Sequence, residues 1–200
     1  MKLAVAILVS GSGSNMVKLV KSMDDEHPAF PSVVISNNPD APGLKKAQDL
    51  GVPTEVIDPH YIKKNNLDFE KELTHALKFY NVEIICLAGF MKILSKNFVD
   101  NFKDRILNIH PSLLPKYRGL NTHARAIASN DHIAGCTVHL VTPELDGGPV
   151  LAQSEVVIKK NETAKSLASK VLIKEHVLYP KVLLNFSNQI KKSLETENCK

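Results

Sequence analysis

The chain has 200 residues, 44% apolar and 23% charged, which suits one soluble domain of α/β size with an adequate core. Its formal net charge of +4 comes from lysines in pairs such as Lys45-Lys46, Lys63-Lys64, Lys159-Lys160 and Lys191-Lys192, with no aromatic residues interleaved. A nucleic-acid groove is therefore not expected, although a modest positive field would help to collect an anionic small substrate. Cys86, Cys136 and Cys199 are odd in number and far apart, which argues against a disulfide framework or a zinc knuckle and for reduced, structural thiols. The apolar run Leu3 to Val9 is too short to span a membrane and makes a poor signal peptide, so a cytosolic chain is expected.

That run, Leu3 to Ser10, reads as a buried strand. It ends at Gly11-Ser12-Gly13-Ser14-Asn15, and Met16, Val17, Leu19, Val20 and Met23 then recur at helical spacing. Strand, glycine loop and helix together suggest an anion site, because glycines let the backbone approach a phosphate while the helix N-terminus, Ser14 and Asn15 donate to it. The alternative is an ordinary turn with Ser14 or Asn15 as N-cap, but two glycines at a strand end exceed what a cap needs. A dinucleotide site fits poorly. Its fingerprint would need glycine at Met16, and Asn37-Asn38 stand after Val33 to Ser36 where an acidic ribose ligand belongs.

Pro42 to Leu50 predicts a short helix closed by Gly51, Thr54 to Ile57 a short strand, and Asp58 to Asn66 a polar loop. Phe69, Leu73, Ala76, Leu77 and Tyr80 mark the next helix, and Val82 to Ala88 another apolar strand, so a parallel sheet follows. Its exit, Gly89-Phe90-Met91-Lys92-Ile93-Leu94, reads either as the wall of a flat apolar pocket or as packing for a helix beginning near Ser95. The pocket is preferred because loops after parallel strands share the rim where open α/β sheets bind ligands.

Arg105 to Ile109 predicts the end of a further strand. Side chains two apart share a side, so Asn108 and His110 leave the sheet together, a hydrogen-bond donor beside a proton donor. Pro111 and Pro115 end the strand and stiffen the loop that follows. A buried Asn and His can simply satisfy each other. A fixed imidazole beside a fixed amide also suits chemistry at a carbonyl. Beyond a short helix from Thr122 to Ser129, Gly135 to Val141 and Val150 to Ile158 look like a hairpin. Asp146-Gly147-Gly148 in their connection is first a turn signal, yet a carboxylate is what His110 would need as an orienting partner. Thr163 to about Ile190 predicts one long helix carrying Glu175-His176, with a kink at Pro180 and a fraying Lys- and Glu-rich end. His123, His132 and His139 lack the spacing of a metal site and read as core or surface histidines. Neither an internal repeat, a domain linker nor a serine nucleophile elbow is evident.

Taken together, Gly11 to Asn15, Gly89 to Leu94, Asn108 to Pro115, Leu145 to Pro149 and Glu175-His176 closely resemble the glycinamide ribonucleotide formyltransferases, from residue 3 to about 186. The likeness implies an α/β, three-layer fold with a mostly parallel twisted sheet, a Rossmann-like amino-terminal half, a carboxyl-terminal hairpin and a long helix, all in a single domain over residues 1–200. It implies transfer of the formyl group of 10-formyltetrahydrofolate, a co-substrate, to the amine of glycinamide ribonucleotide in purine biosynthesis. By the same likeness Gly13, Ser14 and Asn15 would hold the ribonucleotide phosphate, and Leu172, Ile173, Lys174 and Glu175 would approach its ribose and glycinamide, with Glu175 as hydroxyl acceptor. Folate would lie against Met91, Lys92, Ile93 and Leu94, beside Asn108 and under a loop of Thr142, Pro143, Glu144, Leu145 and Asp146. The catalytic residues would be Asn108, His110 and Asp146: the first two stabilise the formyl oxygen, while Asp146 keeps His110 protonated and helps to relay the amine proton through water. No metal, nucleic acid or membrane is implied, and the expected state is a cytoplasmic monomer or homodimer. Three departures stand out. Asn66 lies near a position that often carries a folate-tail Arg, Lys92 replaces a common Arg, and Arg118 a common Pro. The expected rivals are a formyltetrahydrofolate hydrolase, which would carry an extra amino-terminal domain and lack the phosphate loop, a methionyl-tRNA formyltransferase, which would add an RNA-binding domain, and a noncatalytic sugar-phosphate-binding module.

Overall fold

The computed structural model describes residues 2–197, in two compact units. Cys199 lies outside the described residues. The first unit comprises the chain up to Leu94 together with the part from Leu183 onward. Strands and helices alternate here: β1 (Leu3–Val9), α1 (Ser14–Ser22), β2 (Ala29–Ser36), α2 (Pro42–Asp49), β3 (Thr54–Val56), α3 (Pro59–Lys64), α4 (Phe69–Phe79) and β4 (Ile84–Leu87). The strands lie in the order β3-β2-β1-β4, and each pairing is parallel. With a strand on either side, every residue of β1 is buried, which is why it reads as an unbroken apolar run rather than an alternating one.

One expectation fails in this unit. Asp58 to Asn66 is not a loop throughout, because Pro59–Lys64 is helical: the Asp58 carboxylate accepts the His60 N–H at 2.8 Å, and Pro59 takes the first turn, where its missing N–H costs nothing.

The second unit runs from Ser95 to Val182. Ser95 caps α5 (Lys96–Asn101) by accepting the Phe98 N–H, and β5 (Ile106–His110), α6 (Thr122–Ala128), β6 (Ile133–Leu140) and β7 (Val150–Val157) follow. β5, β6 and β7 are joined by antiparallel pairings, so parallel and antiparallel strands are both present and the α/β class holds. Helix α7 (Ala164–Glu197) supplies the last element of this unit and continues into the first. Within the second unit Leu167, Val171, Glu175, Tyr179 and Val182 recur at helical spacing and are buried. The fully buried Tyr179 donates its hydroxyl to the Leu107 carbonyl at 3.1 Å, which ties the helix to β5. Pro180 lies inside the helix without interrupting it, and the helix runs on past Ile190 to Glu197. Among the described residues, no helix is long and apolar enough to cross a membrane.

Candidate active site

In the first unit the glycine loop leaves β1 and enters α1 at Ser14. Gly13 is the N-cap with φ of 68° and no side chain caps the helix, so the alternative of a turn capped by Ser14 or Asn15 does not hold: Ser14 is already helical and Asn15 is buried. Glycine is required at 13 twice over, by that left-handed backbone and because a Cβ there would lie 2.7 Å from the Gly43 Cα of α2. The Gly43 N–H also donates to the Gly11 carbonyl at 3.0 Å, so α2 braces the loop directly. Asn37 and Asn38 have work of their own at the end of β1. The Ser10 hydroxyl donates to Asn37 Oδ1 at 2.6 Å, the Asn38 amide donates to the Ser10 carbonyl at 3.3 Å, and the same hydroxyl accepts the Met91 N–H at 2.7 Å.

Beyond β4, Gly89 takes φ of 73° and turns the chain into the Met91–Leu94 run. Met91 is 71% exposed and Ile93 77%, while Leu94 is buried. Core packing thus accounts for Leu94 alone, and the other two present apolar surface to solvent. Lys92 places its ammonium 4.6 Å from the Phe69 ring centroid, a cation–π contact.

In the second unit Asn108 and His110 leave β5 on one side, as their spacing requires. The antiparallel register sets His139 opposite Asn108 and Thr137 opposite His110. Sequence reasoning treated His139 as an unremarked core or surface histidine. It is buried, and its Nε2 lies 3.1 Å from the Asn108 Nδ2 and 3.6 Å from Asp146 Oδ1. Its Nδ1 is 2.8 Å from the Leu140 carbonyl, which can only accept, so Nδ1 carries a proton, and Nε2 faces both the Asn108 amide and Asp146. The first of these contacts orients the amide.

Asp146 completes the cluster. Its Oδ2 is 3.3 Å from His110 Nδ1 and accepts the Gly119 N–H at 2.8 Å, and its side chain is only 9% exposed. Burial by itself would raise the carboxyl pKa. The His139 ring, the Gly119 N–H and the His110 ring outweigh it and hold Asp146 below the usual value, hence ionised. Asp146 acts on His110 in the expected sense, towards the protonated ring, but burial outweighs it. Burial lowers the His110 pKa, and the Tyr117 carbonyl, 2.9 Å from Nε2, and the Asp146 charge oppose that only in part. The resting ring therefore favours the neutral form more than an exposed histidine does.

The loop after His110 is held from β6 and β7. Thr137, fully buried, donates to the Ser112 carbonyl at 2.6 Å and accepts the Leu114 N–H at 3.0 Å. Gln153 of β7 donates at 2.9 Å both to Thr137 Oγ1 and to the Leu114 carbonyl. In the Thr142 to Asp146 segment, Pro143, Glu144 and Leu145 are exposed, Glu144 pairs with Arg118, and Gly147 donates back to the Glu144 carbonyl at 3.1 Å. Along α7, Ile173 and Lys174 are exposed and Leu172 is half-buried, whereas Glu175 is buried near Cys136, whose thiol is pushed up to about 12, chiefly by burial and next by that carboxylate. A separate cavity of about 410 Å³ opens behind the loop, lined by residues including Pro111, Leu113, Tyr117 and His123, and Asn108, His110 and Asp146 do not line it. No group of His, Cys, Asp and Glu suited to a metal ion occurs among the described residues.

An α/β protein that brings a half-buried amide, a buried imidazole and an ionised carboxylate together at a strand end belongs, on fold and site, to the class that does polar group-transfer chemistry at a carbonyl. The chain is a member of the formyl transferase family, whose sequence model matches residues 3–183. It is 37% identical over 185 residues to the phosphoribosylglycinamide formyltransferase of Escherichia coli (strain K12), covering 92% of this chain and 87% of that protein. It is 39% identical over 183 residues to the human trifunctional purine biosynthetic protein adenosine-3, covering 91% of this chain but only 18% of that longer protein. Among solved structures, the phosphoribosylglycinamide formyltransferase of Brucella melitensis matches with a TM-score of 0.87 at 43% identity, over 94% of this chain and 96% of that one. The Coxiella burnetii enzyme of the same name, in complex with CHES, gives 0.88 at 40% identity, over 94% and 89%.

Proposed function

We propose that this chain transfers the formyl group of 10-formyltetrahydrofolate to the amine of glycinamide ribonucleotide, a step of purine biosynthesis, in the cytoplasm. The observation that carries the reading is the cluster of Asn108, His110 and ionised Asp146 in a chain that shares more than a third of its residues with enzymes bearing that activity in their names. Gly13, Ser14 and Asn15 take the phosphate, and Leu172 to Glu175 take the ribose and glycinamide. Met91 to Leu94 and Thr142 to Asp146 take the folate, for which the exposed Met91 and Ile93 offer an apolar face.

The neutral amine attacks the formyl carbon, a C–N bond forms, and negative charge grows on the formyl oxygen. The Asn108 amide and the His110 ring donate to that oxygen, the ring exchanging its contact with the Tyr117 carbonyl for it. His110 passes on a proton that the reaction itself supplies. It comes from the attacking amine through water, and Asp146 steadies the cation. Collapse of the tetrahedral intermediate breaks the bond from carbon to the folate nitrogen, which takes that proton and leaves as tetrahydrofolate. The chemistry asks for no metal and no covalent bond to the enzyme.

The test is folate product formation from 10-formyltetrahydrofolate, run with and without glycinamide ribonucleotide. Product only in the presence of the ribonucleotide is expected. Equal product without it, with formate released, would make the chain a hydrolase, and no product in either arm would leave a binding module.

A further inference from the structure

The glycine loop and the first turn of α1, Gly11 to Val17, contain no cation, although a phosphate bound there carries nearly two negative charges. Backbone N–H groups and the serine and asparagine side chains can satisfy its oxygens but leave its charge without a counterion. Helix α2 brings one. Its first turn lies against the loop through the Gly13 and Gly43 contact and the bond from the Gly43 N–H to the Gly11 carbonyl. One helical turn beyond Gly43, on the same face, Lys46 donates its ammonium to the Ser12 carbonyl at 2.8 Å. Lys46 is exposed, and that single bond leaves two N–H donors open. Its neighbour Lys45 is engaged by Asp49, whereas Lys46 has no carboxylate partner among the described residues.

We propose that Lys46 is a further phosphate-binding residue, which places its charge on the phosphate held by the glycine loop. The assignment rests on the reading of Gly13, Ser14 and Asn15 as the phosphate cradle. The carbonyl of Ser12 holds the ammonium beside the cradle, so little side-chain freedom remains to be lost when the anion arrives.

The test is titration calorimetry of the full chain with glycinamide ribonucleotide and with its dephosphorylated riboside, for the wild type, Lys46→Met and Lys46→Arg. Lys46→Met should weaken ribonucleotide binding about tenfold, as the loss of one charge-assisted contact would, and flatten its salt dependence. Riboside binding should stay as in the wild type, and Lys46→Arg should restore most of the ribonucleotide affinity. A Lys46→Met chain that binds the ribonucleotide as tightly as the wild type would overturn the proposal while leaving the cradle in place. Equal weakening of both ligands would overturn it too, by reducing Lys46 to a brace of the loop. A wild type that fails to prefer the ribonucleotide would overturn the cradle itself, and the role of Lys46 with it.

Discussion

Asp146 holds a left-handed backbone with φ of 48°, a conformation that Asp and Asn tolerate better than other side chains. Asp146→Asn therefore changes the charge at His110 without straining the turn. We expect the variant to melt within a few degrees of the wild type and to lose at least about a hundredfold in turnover, in line with general acid-base contributions. Near-normal turnover in that folded variant would remove Asp146 from the chemistry. Two residues on, the constraint is steric. A Cβ on Gly148 would sit 1.9 Å from the Leu140 carbonyl oxygen, which belongs to backbone and cannot swing aside. Gly148→Ala should cost at least about 2 kcal/mol in urea unfolding, the range of substitutions that force a backbone to move. A loss below about 0.5 kcal/mol would show that the turn gives way freely.

Between elements, the clearest tie is from α7 to β5, where Tyr179 reaches the Leu107 carbonyl beside Asn108. Removing that hydroxyl in Tyr179→Phe should lower stability by about 1 kcal/mol, measurable as a shift in denaturant midpoint at unchanged slope. How far the elements could be read in advance depends on how local their causes are. The strand, glycine loop and helix at Leu3 to Ser22 follow from adjacent residues and appear as expected. The shared side of Asn108 and His110 needs only the period of a strand. Helix α3 escaped because a largely polar stretch masks a start signal, Asp58-Pro59, that is itself local and legible. His139 and its grip on Asn108 could not be found that way. They require the antiparallel register of β5 on β6, and no spacing within either segment specifies it. The direction of the His110 shift was illegible for a similar reason: the carboxylate partner was expected, but the depth of burial that outweighs it comes from packing of the whole unit.

For the whole molecule, His27, His110 and His123 share one direction, each held below the ordinary histidine value, first of all by burial. A histidine with a depressed folded pKa binds fewer protons folded than unfolded. Its contribution is fully present above the unfolded value of about 6.5 and is lost as pH falls through the folded one. Urea midpoints should therefore hold steady from about pH 8 to 7 and fall progressively below about 6.5, and His27→Gln should soften that fall. A midpoint unchanged down to pH 5 would contradict the burial of these rings. The stitching of the loop after His110 carries a different implication. Ser112 and Leu114 are fastened through Thr137 to Gln153, so the loop that follows His110 takes its footing from β7, a strand with no fully buried residue. Breathing at that strand would slacken the loop while β5 stays in place, so the order of the segment beside His110 is a more fragile property than being folded.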